Sequence, residues 1–199
     1  MIKCFNGGLL DSNTYIYYDG EKNGMIIDAG YSPDRLAYFV KENEIKVKYI
    51  VLTHGHYDHA HYVEEYRGLF ENAEILCHKN ERAVLYDCEA NLSPYFGEPK
   101  VYAQNYRLLE DGEKIKLSNE TEFTVINLPG HTPGCIALYL PNEKIMFTGD
   151  VLFACGYGRT DFKGGSPEMM RDSLKRLSKM DGDIRIYPGH YESALLKNT

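Results

Sequence analysis

The chain contains no tryptophan and no apolar run approaching the roughly 18 residues that span a membrane. Residues 1–5 include one lysine and are not followed by the apolar core of a secretory signal. We therefore expect a cytoplasmic protein without a membrane partner. A Gly-x-Ser-x-Gly motif is also missing, which argues against a serine hydrolase.

Paired cysteine motifs and an excess of positive charge are absent as well. The five cysteines are odd in number, widely scattered and never spaced as Cys-x-x-Cys, which favours reduced thiols. The formal net charge is -7 and the pI is about 5.5, whereas nucleic-acid binders usually show a basic face. We therefore predict no nucleic-acid partner.

The 199 residues, 43% hydrophobic and 26% charged, suit one domain spanning residues 1–199. Short apolar, β-branched runs predict strands at 14–18, 25–27, 47–52, 74–77, 113–117, 122–128, 135–140, 144–148 and 184–187. Asp19-Gly20 and Asn23-Gly24 are predicted to form turns. Helices are predicted near 60–68 and 79–87 and after Ser32-Pro33 and Ser166-Pro167, so we expect two packed sheets covered by helices.

The strongest chemical signal is the segment Thr53-His-Gly-His-Tyr-Asp-His59, directly after an apolar strand. Alternate residues of an extended segment point the same way, so His54 and His56 are predicted to bind one metal ion. If the chain then turns into a helix, Asp58 and His59 lie in its first turn and face a second ion. Imidazole and carboxylate groups suit zinc, iron or manganese.

Three more candidate ligands follow later strands. His131 lies in Pro-Gly-His-Thr-Pro-Gly, Asp150 follows Gly149, and His190 follows Pro-Gly. Each stands at a strand end beside glycine or proline, where loops on a rigid scaffold assemble sites.

These motifs, in this order and over nearly the whole chain, resemble the metallo-β-lactamase superfamily. The resemblance implies an αββα sandwich of two mixed β-sheets flanked by helices, with metal held at the sheet edge. Asp at position 150, and the stretch 149–162, are similar to the small glyoxalase II-like hydrolases and to the persulfide dioxygenases. Matched residue by residue, the resemblance implies that one metal is bound by His54, His56 and His131. It implies that a second metal is bound by Asp58, His59 and His190, and that Asp150 binds both.

That assignment implies a hydrolase with two divalent metal ions, most simply zinc, with iron or manganese as alternatives. A hydroxide bridging the metals would attack the carbonyl of a thioester or ester, as in hydroxyacylglutathione hydrolysis. Asp58 would orient the nucleophile as well as bind metal. The expected partner is a small-molecule substrate.

Neighbouring residues are candidates for substrate binding. Tyr57 lies inside the metal motif, and Arg159 and Lys163 are predicted to hold a substrate carboxylate; the alternative is that Arg159 forms a structural pair with Asp161. The chain ends nine residues after His190, so we expect the glutathione-recognition domain of full-length glyoxalase II to be absent. Tyr191 stands where glycine is common in the family and is expected to narrow the entrance.

Two other functions remain open. A persulfide dioxygenase would use one iron, held by His54 or His56 together with His131 and Asp150, with positions left open for oxygen and substrate. A nuclease resembling ribonuclease Z shares much of the ligand set, but the acidic pI disfavours it. A non-catalytic binding domain is disfavoured because no ligand position is lost.

Overall fold

The computed structural model of the protein describes residues 1–102 and 105–199. The strands are β1 Ile2–Asn6, β2 Asn13–Tyr18, β3 Asn23–Ile27, β4 Lys46–Val51, β5 Glu74–His78, β6 Arg107–Leu109, β7 Lys114–Lys116, β8 Glu122–Asn127, β9 Ile136–Leu140, β10 Ile145–Gly149, β11 Arg185–Pro188 and β12 Ala194–Leu195. The α-helices are α1 Pro33–Glu42, α2 Tyr57–Ala60, α3 Val63–Leu69, α4 Arg82–Leu85 and α5 Pro167–Leu177.

The strands form two six-stranded mixed sheets. The first runs β1-β2-β3-β4-β5-β6, with antiparallel pairing from β1 to β3 and parallel pairing from β3 to β6. The second runs β12-β11-β10-β9-β8-β7 and is antiparallel except for the β10–β11 pair. Both sheets therefore contain a parallel section, and the two parallel sections supply most of the site described below.

Three hydrophobic clusters define the layers. A central cluster joins β2, β3 and β4 to β8, β9 and β10 across the space between the sheets. An outer cluster packs α1, α2, α3 and α4 on the first sheet, and another packs α5 on the second sheet. Helices cover the outer face of each sheet, which confirms the predicted αββα sandwich. Among the described residues, no helix has both the length and the apolar character needed to cross a bilayer.

Alternation along β2 shows how one strand serves two layers. Tyr15 and Tyr17 lie in the central cluster, whereas Ile16 and Tyr18 face the helices of the outer cluster. Successive side chains of a strand point to opposite faces, so a strand buried on both sides is apolar without a break. This is why the sequence shows an apolar run here rather than alternation with polar residues.

The sequence predictions erred at some strand ends. Asn23-Gly24 begins β3 instead of forming a turn, because the turn is made earlier, by Asp19 accepting from the backbone N–H groups of Glu21 and Asn23 at 2.9 and 3.0 Å. The short edge strands β1, β6 and β12 were not predicted. Their residues are largely exposed or half-buried and lack the dense apolar pattern of inner strands.

The two predicted helix starts differ in their capping. Ser166 accepts a hydrogen bond from the Met169 N–H at 3.2 Å and caps α5, while Pro167 occupies the first turn. Ser32 precedes α1 as predicted, but its side chain makes no capping hydrogen bond. The first turn of α1 is therefore set by Pro33 and by burial of Leu36 and Val40 against the first sheet.

Candidate metal centre

Most of the candidate ligands follow the carboxyl ends of parallel strands, which lie in both sheets. His54 follows β4, and the parallel strands β10 and β11 of the second sheet lead into Asp150 and His190. His131 lies in the loop between β8 and β9. The sandwich brings these four ends together, so the centre is built across the two sheets.

The segment after β4 has the predicted conformation. His56 is extended, with φ -66° and ψ 150°, and α2 begins at the next residue, Tyr57. Asp58 and His59 therefore lie in the first turn of a helix, as predicted. The backbone carbonyl of Asp58 is held by the Ser12 hydroxyl at 2.9 Å, and a Cβ on Gly30 would lie only 2.2 Å from that same oxygen. Glycine at position 30 is thus required for α2 to sit this close to β3.

Three histidines form the first cluster. The ligand nitrogens of His54, His56 and His131 lie within 4.8 Å of one another, and all three residues are buried. The Nε2 atom of each has no hydrogen-bond partner among the described residues. His131 donates from Nδ1 to the Arg159 carbonyl at 2.7 Å, which leaves its Nε2 lone pair facing the cluster. Buried nitrogens without partners, converging on one point, fit a metal ion.

Electrostatics keeps two of these rings neutral. Burial and the neighbouring imidazoles hold the pKa of His54 well below its usual value. Burial and His131 do the same to the pKa of His56. Neutral imidazole is the form that donates a lone pair to a metal, so the first cluster is prepared for coordination before any ion arrives.

Asp58, His59 and His190 form the second cluster. His190 Nε2 lies 3.2 Å from both Asp58 Oδ2 and His59 Nε2. Burial opposes ionisation of Asp58, but His59 and His190 lower its pKa, so it is a carboxylate. Burial also opposes protonation of His59, yet Asp58, Asp150 and Asp28 raise its pKa to about 10. These carboxylates favour binding of a cation, and a divalent metal bound there would displace the proton from His59.

Asp150 lies between the two clusters. Its Oδ2 atom is 3.5 Å from His131 Nε2 and 3.5 Å from His190 Nε2, and its Oδ1 atom is 3.4 Å from His59 Nε2. A Cβ on Gly189 would lie 2.2 Å from Oδ1, so the glycine before His190 is needed to admit this carboxylate. One side chain thus contacts ligands of both groups.

Asp28 orients the ligand segment and was not singled out from the sequence. It follows β3, is 2% exposed, and accepts hydrogen bonds from Thr53 N at 2.7 Å and Thr53 Oγ1 at 2.8 Å. Its Oδ2 atom also lies 3.0 Å from His59 Nδ1, which turns His59 Nε2 towards the second cluster. A sequence signal for Asp28 exists, because it follows an apolar strand and lies two residues before Gly30, and the candidate ligands also stand at strand ends near glycine or proline.

Glu81 ties the two ligand loops together and was also missed. It is fully buried, and its carboxylate accepts from Gly55 N and Gly134 N, both at 2.7 Å, and from the Thr132 hydroxyl. Burial raises its pKa to about 7, although all three hydrogen bonds favour the ionised form. Glu81 therefore connects the loop that carries His54 and His56 to the loop that carries His131.

Replacing Glu81 with alanine leaves the buried N–H groups of Gly55 and Gly134 without an acceptor and removes the carboxylate that accepts from the Thr132 hydroxyl. Each such group costs about 1–3 kcal/mol, so we expect the free energy of unfolding to fall by about 3 kcal/mol. Loosened ligand loops should also weaken metal affinity by about 10–100-fold. Denaturant unfolding and metal titration measure both effects, with Glu71→Ala, at an exposed turn residue, as the matched control. Equal behaviour of the two variants would contradict this role.

The centre opens into a cavity of about 810 Å³. Its lining includes the ligands His56, Asp58, His131, Asp150 and His190 and the predicted substrate residue Arg159. The Arg159 side chain donates two hydrogen bonds to Asp161, at 2.9 and 2.7 Å, so the structural pair considered from the sequence is present. Tyr191 also lines the cavity, as expected for a residue that narrows the entrance.

The other two predicted substrate residues lie elsewhere. Tyr57 is 1% exposed, packs against Phe96 and donates from its hydroxyl to Glu98, because on a helix it points about 100° away from Asp58. Lys163 pairs with Asp87 at 2.6 Å and Glu89 at 3.4 Å and does not line the cavity. Neither side chain lines the cavity of the centre in this structure.

The fold and the ligand clusters define a class of protein. The chain belongs to the metallo-beta-lactamase superfamily, whose family model matches residues 7–190. It carries the fold and the ligand-bearing motifs of a metal-dependent hydrolase of that family, with His and Asp clusters able to hold metal ions.

The chain is similar both to a hydroxyacylglutathione hydrolase and to solved structures of the superfamily. It is 35% identical over 181 residues to the hydroxyacylglutathione hydrolase GloC of Haemophilus influenzae, covering 89% of this chain and 84% of that protein. The crystal structure of BLEG-1 B3 metallo-beta-lactamase is 29% identical with a TM-score of 0.91, over 100% of this chain and 95% of that one. The structure of TTHA1623 in a di-iron-bound form is 30% identical with a TM-score of 0.87, over 98% and 96%. The predicted resemblance is confirmed.

Proposed function

We propose that this chain hydrolyses a small thioester or ester at a centre that holds two divalent metal ions. Zinc is the simplest choice for the ligand set, with iron or manganese as alternatives. The observation that carries the proposal is the convergence of unpartnered Nε2 atoms of His54, His56 and His131 beside Asp150, at the base of an open cavity. The di-iron form of a 30% identical relative supports a dinuclear centre here.

The ligand roles follow from the two clusters. His54, His56 and His131 would hold one ion, Asp58, His59 and His190 the other, and Asp150 would contact both. Ions bound there would lower the pKa of water towards about 7 and polarise a substrate carbonyl. Asp28, through His59, and Glu81, through the two loops, would keep the donor atoms in place while substrate enters and leaves.

Asp58 is proposed to orient the attacking water as well. Its carboxylate lines the cavity and is kept ionised by His59 and His190, so it can accept a hydrogen bond from water. The water oxygen forms a bond to the acyl carbon, and the carbon–sulfur bond breaks. The electron pair of the carbon–sulfur bond goes to sulfur. A proton from the water ends on the thiol, and the products are a carboxylic acid and a free thiol.

We extend the proposal to domain organisation and partners. The central cluster joins both sheets, which supports treating residues 1–199 as one domain. The dimensions of the cavity support a small-molecule substrate rather than a nucleic acid. The cytoplasmic location stays a prediction from the sequence.

Metal content and thioester hydrolysis test the proposal together. We expect elemental analysis of the purified, metal-loaded protein to give about two ions per chain. A panel of acyl thioesters should then release thiol, followed with a thiol-reactive dye. About one iron per chain, with oxygen uptake on a persulfide, would replace the hydrolase by a dioxygenase. A chain that binds no metal after reconstitution would contradict both.

A further inference from the structure

The mouth of the cavity is surrounded by apolar side chains that face solvent. We call Tyr95, Tyr157 and Tyr191 the aromatic rim; they are 80%, 58% and 69% exposed, and the neighbouring Leu10 is 69% exposed. All four line the cavity of the metal centre. Phe96, Phe153 and Phe162 line the same cavity. Exposed apolar surface concentrated around a concave site marks a binding surface.

Part of this wall has a strained backbone. Leu10, Leu92 and Tyr191 have φ of 55°, 68° and 66°, a left-handed conformation that bulky residues rarely adopt. They come from three separate segments of the chain, and all three line the cavity. Strained residues that cluster at a site indicate that the site, rather than local preference, fixes their positions. Three separate segments with this conformation thus contribute to the apolar wall of the cavity.

Positive charge at the mouth is already neutralised. Arg159 is the only lysine or arginine among the described residues that line the cavity, and it is bound to Asp161 through two hydrogen bonds. Its guanidinium also lies 4.2 Å from the centre of the Phe162 ring. Nearby Lys163 is bound to Asp87 and Glu89. At the mouth of the cavity, a substrate with several carboxylates would therefore meet no described lysine or arginine that lacks a carboxylate partner.

We propose that the preferred substrates are thioesters of an uncharged thiol with an aromatic or aliphatic acyl group, in preference to glutathione thioesters. This proposal rests on the proposed function and specifies its substrate class. Glutathione carries two carboxylates, which need cationic or strongly polar partners, whereas the aromatic rim offers stacking and apolar contact. A neutral thioester buries its apolar part against the rim and places its carbonyl at the ligands below.

Binding is tested with thioethers, which cannot be hydrolysed. The probes are S-benzyl-N-acetylcysteamine and S-benzylglutathione, measured by calorimetry on the metal-loaded protein. We expect the neutral thioether to bind about tenfold more tightly. Tyr95→Ser and Tyr157→Ser should weaken its binding several-fold, and Tyr38→Ser, at a tyrosine that is 66% exposed and outside the cavity, should not. Tighter binding of S-benzylglutathione, or equal binding by all three variants, would overturn the proposal.

Hydrolysis gives the second readout and separates this proposal from the one it rests on. We expect kcat/KM for benzoyl-N-acetylcysteamine to exceed that for S-lactoylglutathione by about tenfold, and Tyr95→Ser to raise KM with little change in kcat. Hydrolysis in which S-lactoylglutathione is the better substrate would overturn the substrate class and leave the hydrolase intact. No hydrolysis of any thioester by the metal-loaded protein would overturn both.

Discussion

Asp150→Asn is expected to lower kcat/KM for thioester hydrolysis by about 10³-fold, equivalent to about 4 kcal/mol of transition-state stabilisation. The substitution keeps the shape of the side chain and removes the charge that lies between the two clusters, 3.4–3.5 Å from His59, His131 and His190. Metal content should fall by about one ion per chain, because an amide is a much weaker ligand than a carboxylate. Steady-state kinetics and elemental analysis of the same preparation measure both effects.

A matched control for this variant is Asp181→Asn. Asp181 is 46% exposed and pairs with Lys144 on the surface, so its loss should leave metal content and kcat/KM unchanged. Asp150→Asn with wild-type metal content and wild-type activity would show that this carboxylate is not shared by the ions. Lost activity with two ions retained would instead assign Asp150 to substrate or water rather than to metal binding.

Removing metal is expected to lower the melting temperature by about 8–16 °C. The metal-free fold buries three imidazole nitrogens that have no hydrogen-bond partner among the described residues. It also holds the carboxylates of Asp58 and Asp150 within 3.5 Å of the same His190 nitrogen, and the unfolded chain has neither cost. An ion present at about 1,000 times its dissociation constant stabilises the native state by about 4 kcal/mol. For a chain of this size, each kcal/mol shifts the melting temperature by about 2–4 °C.

Circular dichroism melts with a chelator and with excess metal measure this shift. The same comparison on a His56→Ala/His131→Ala variant should show a much smaller shift, because two of the three ligands of the first cluster are lost. Identical melting of the wild-type chain in chelator and in metal would contradict the dependence of the fold on the centre.

The ligand-bearing segments could be predicted because metal-binding residue types occur in them directly after predicted strands. His54, His56, Asp58 and His59 fall within six positions after an apolar strand, and α2 begins where the motif requires it. The sandwich could be predicted from the resemblance, whereas periodicity alone indicated only two covered sheets. The motif did not by itself indicate the direction of the side chain beside it, and Tyr57 packs against Phe96 instead of lining the cavity.

Glu81 shows the limit of reading a sequence locally. It stands in Lys-Asn-Glu-Arg, a charged run that is indistinguishable from the solvated start of a helix. Its three hydrogen bonds go to residues 26, 51 and 53 positions away. Only the folded chain brings Gly55, Thr132 and Gly134 around one carboxylate, so no local pattern could have identified it. The pairing of Lys163 with Asp87 could not be predicted for a similar reason, because the two residues are 76 positions apart.

Assembly of the centre from both sheets has a consequence for the order of folding. His59 and His190 are 131 positions apart, and Asn13 donates to the Pro188 carbonyl across 175 positions, so closing the centre requires ordering most of the chain. Contacts between such distant residues pay their loop-closure entropy before they return any stabilisation, and they form late. We therefore expect the centre to bind metal only after most of the chain has folded. Ions that bind only the closed centre are then expected to slow unfolding more than they change the rate of folding.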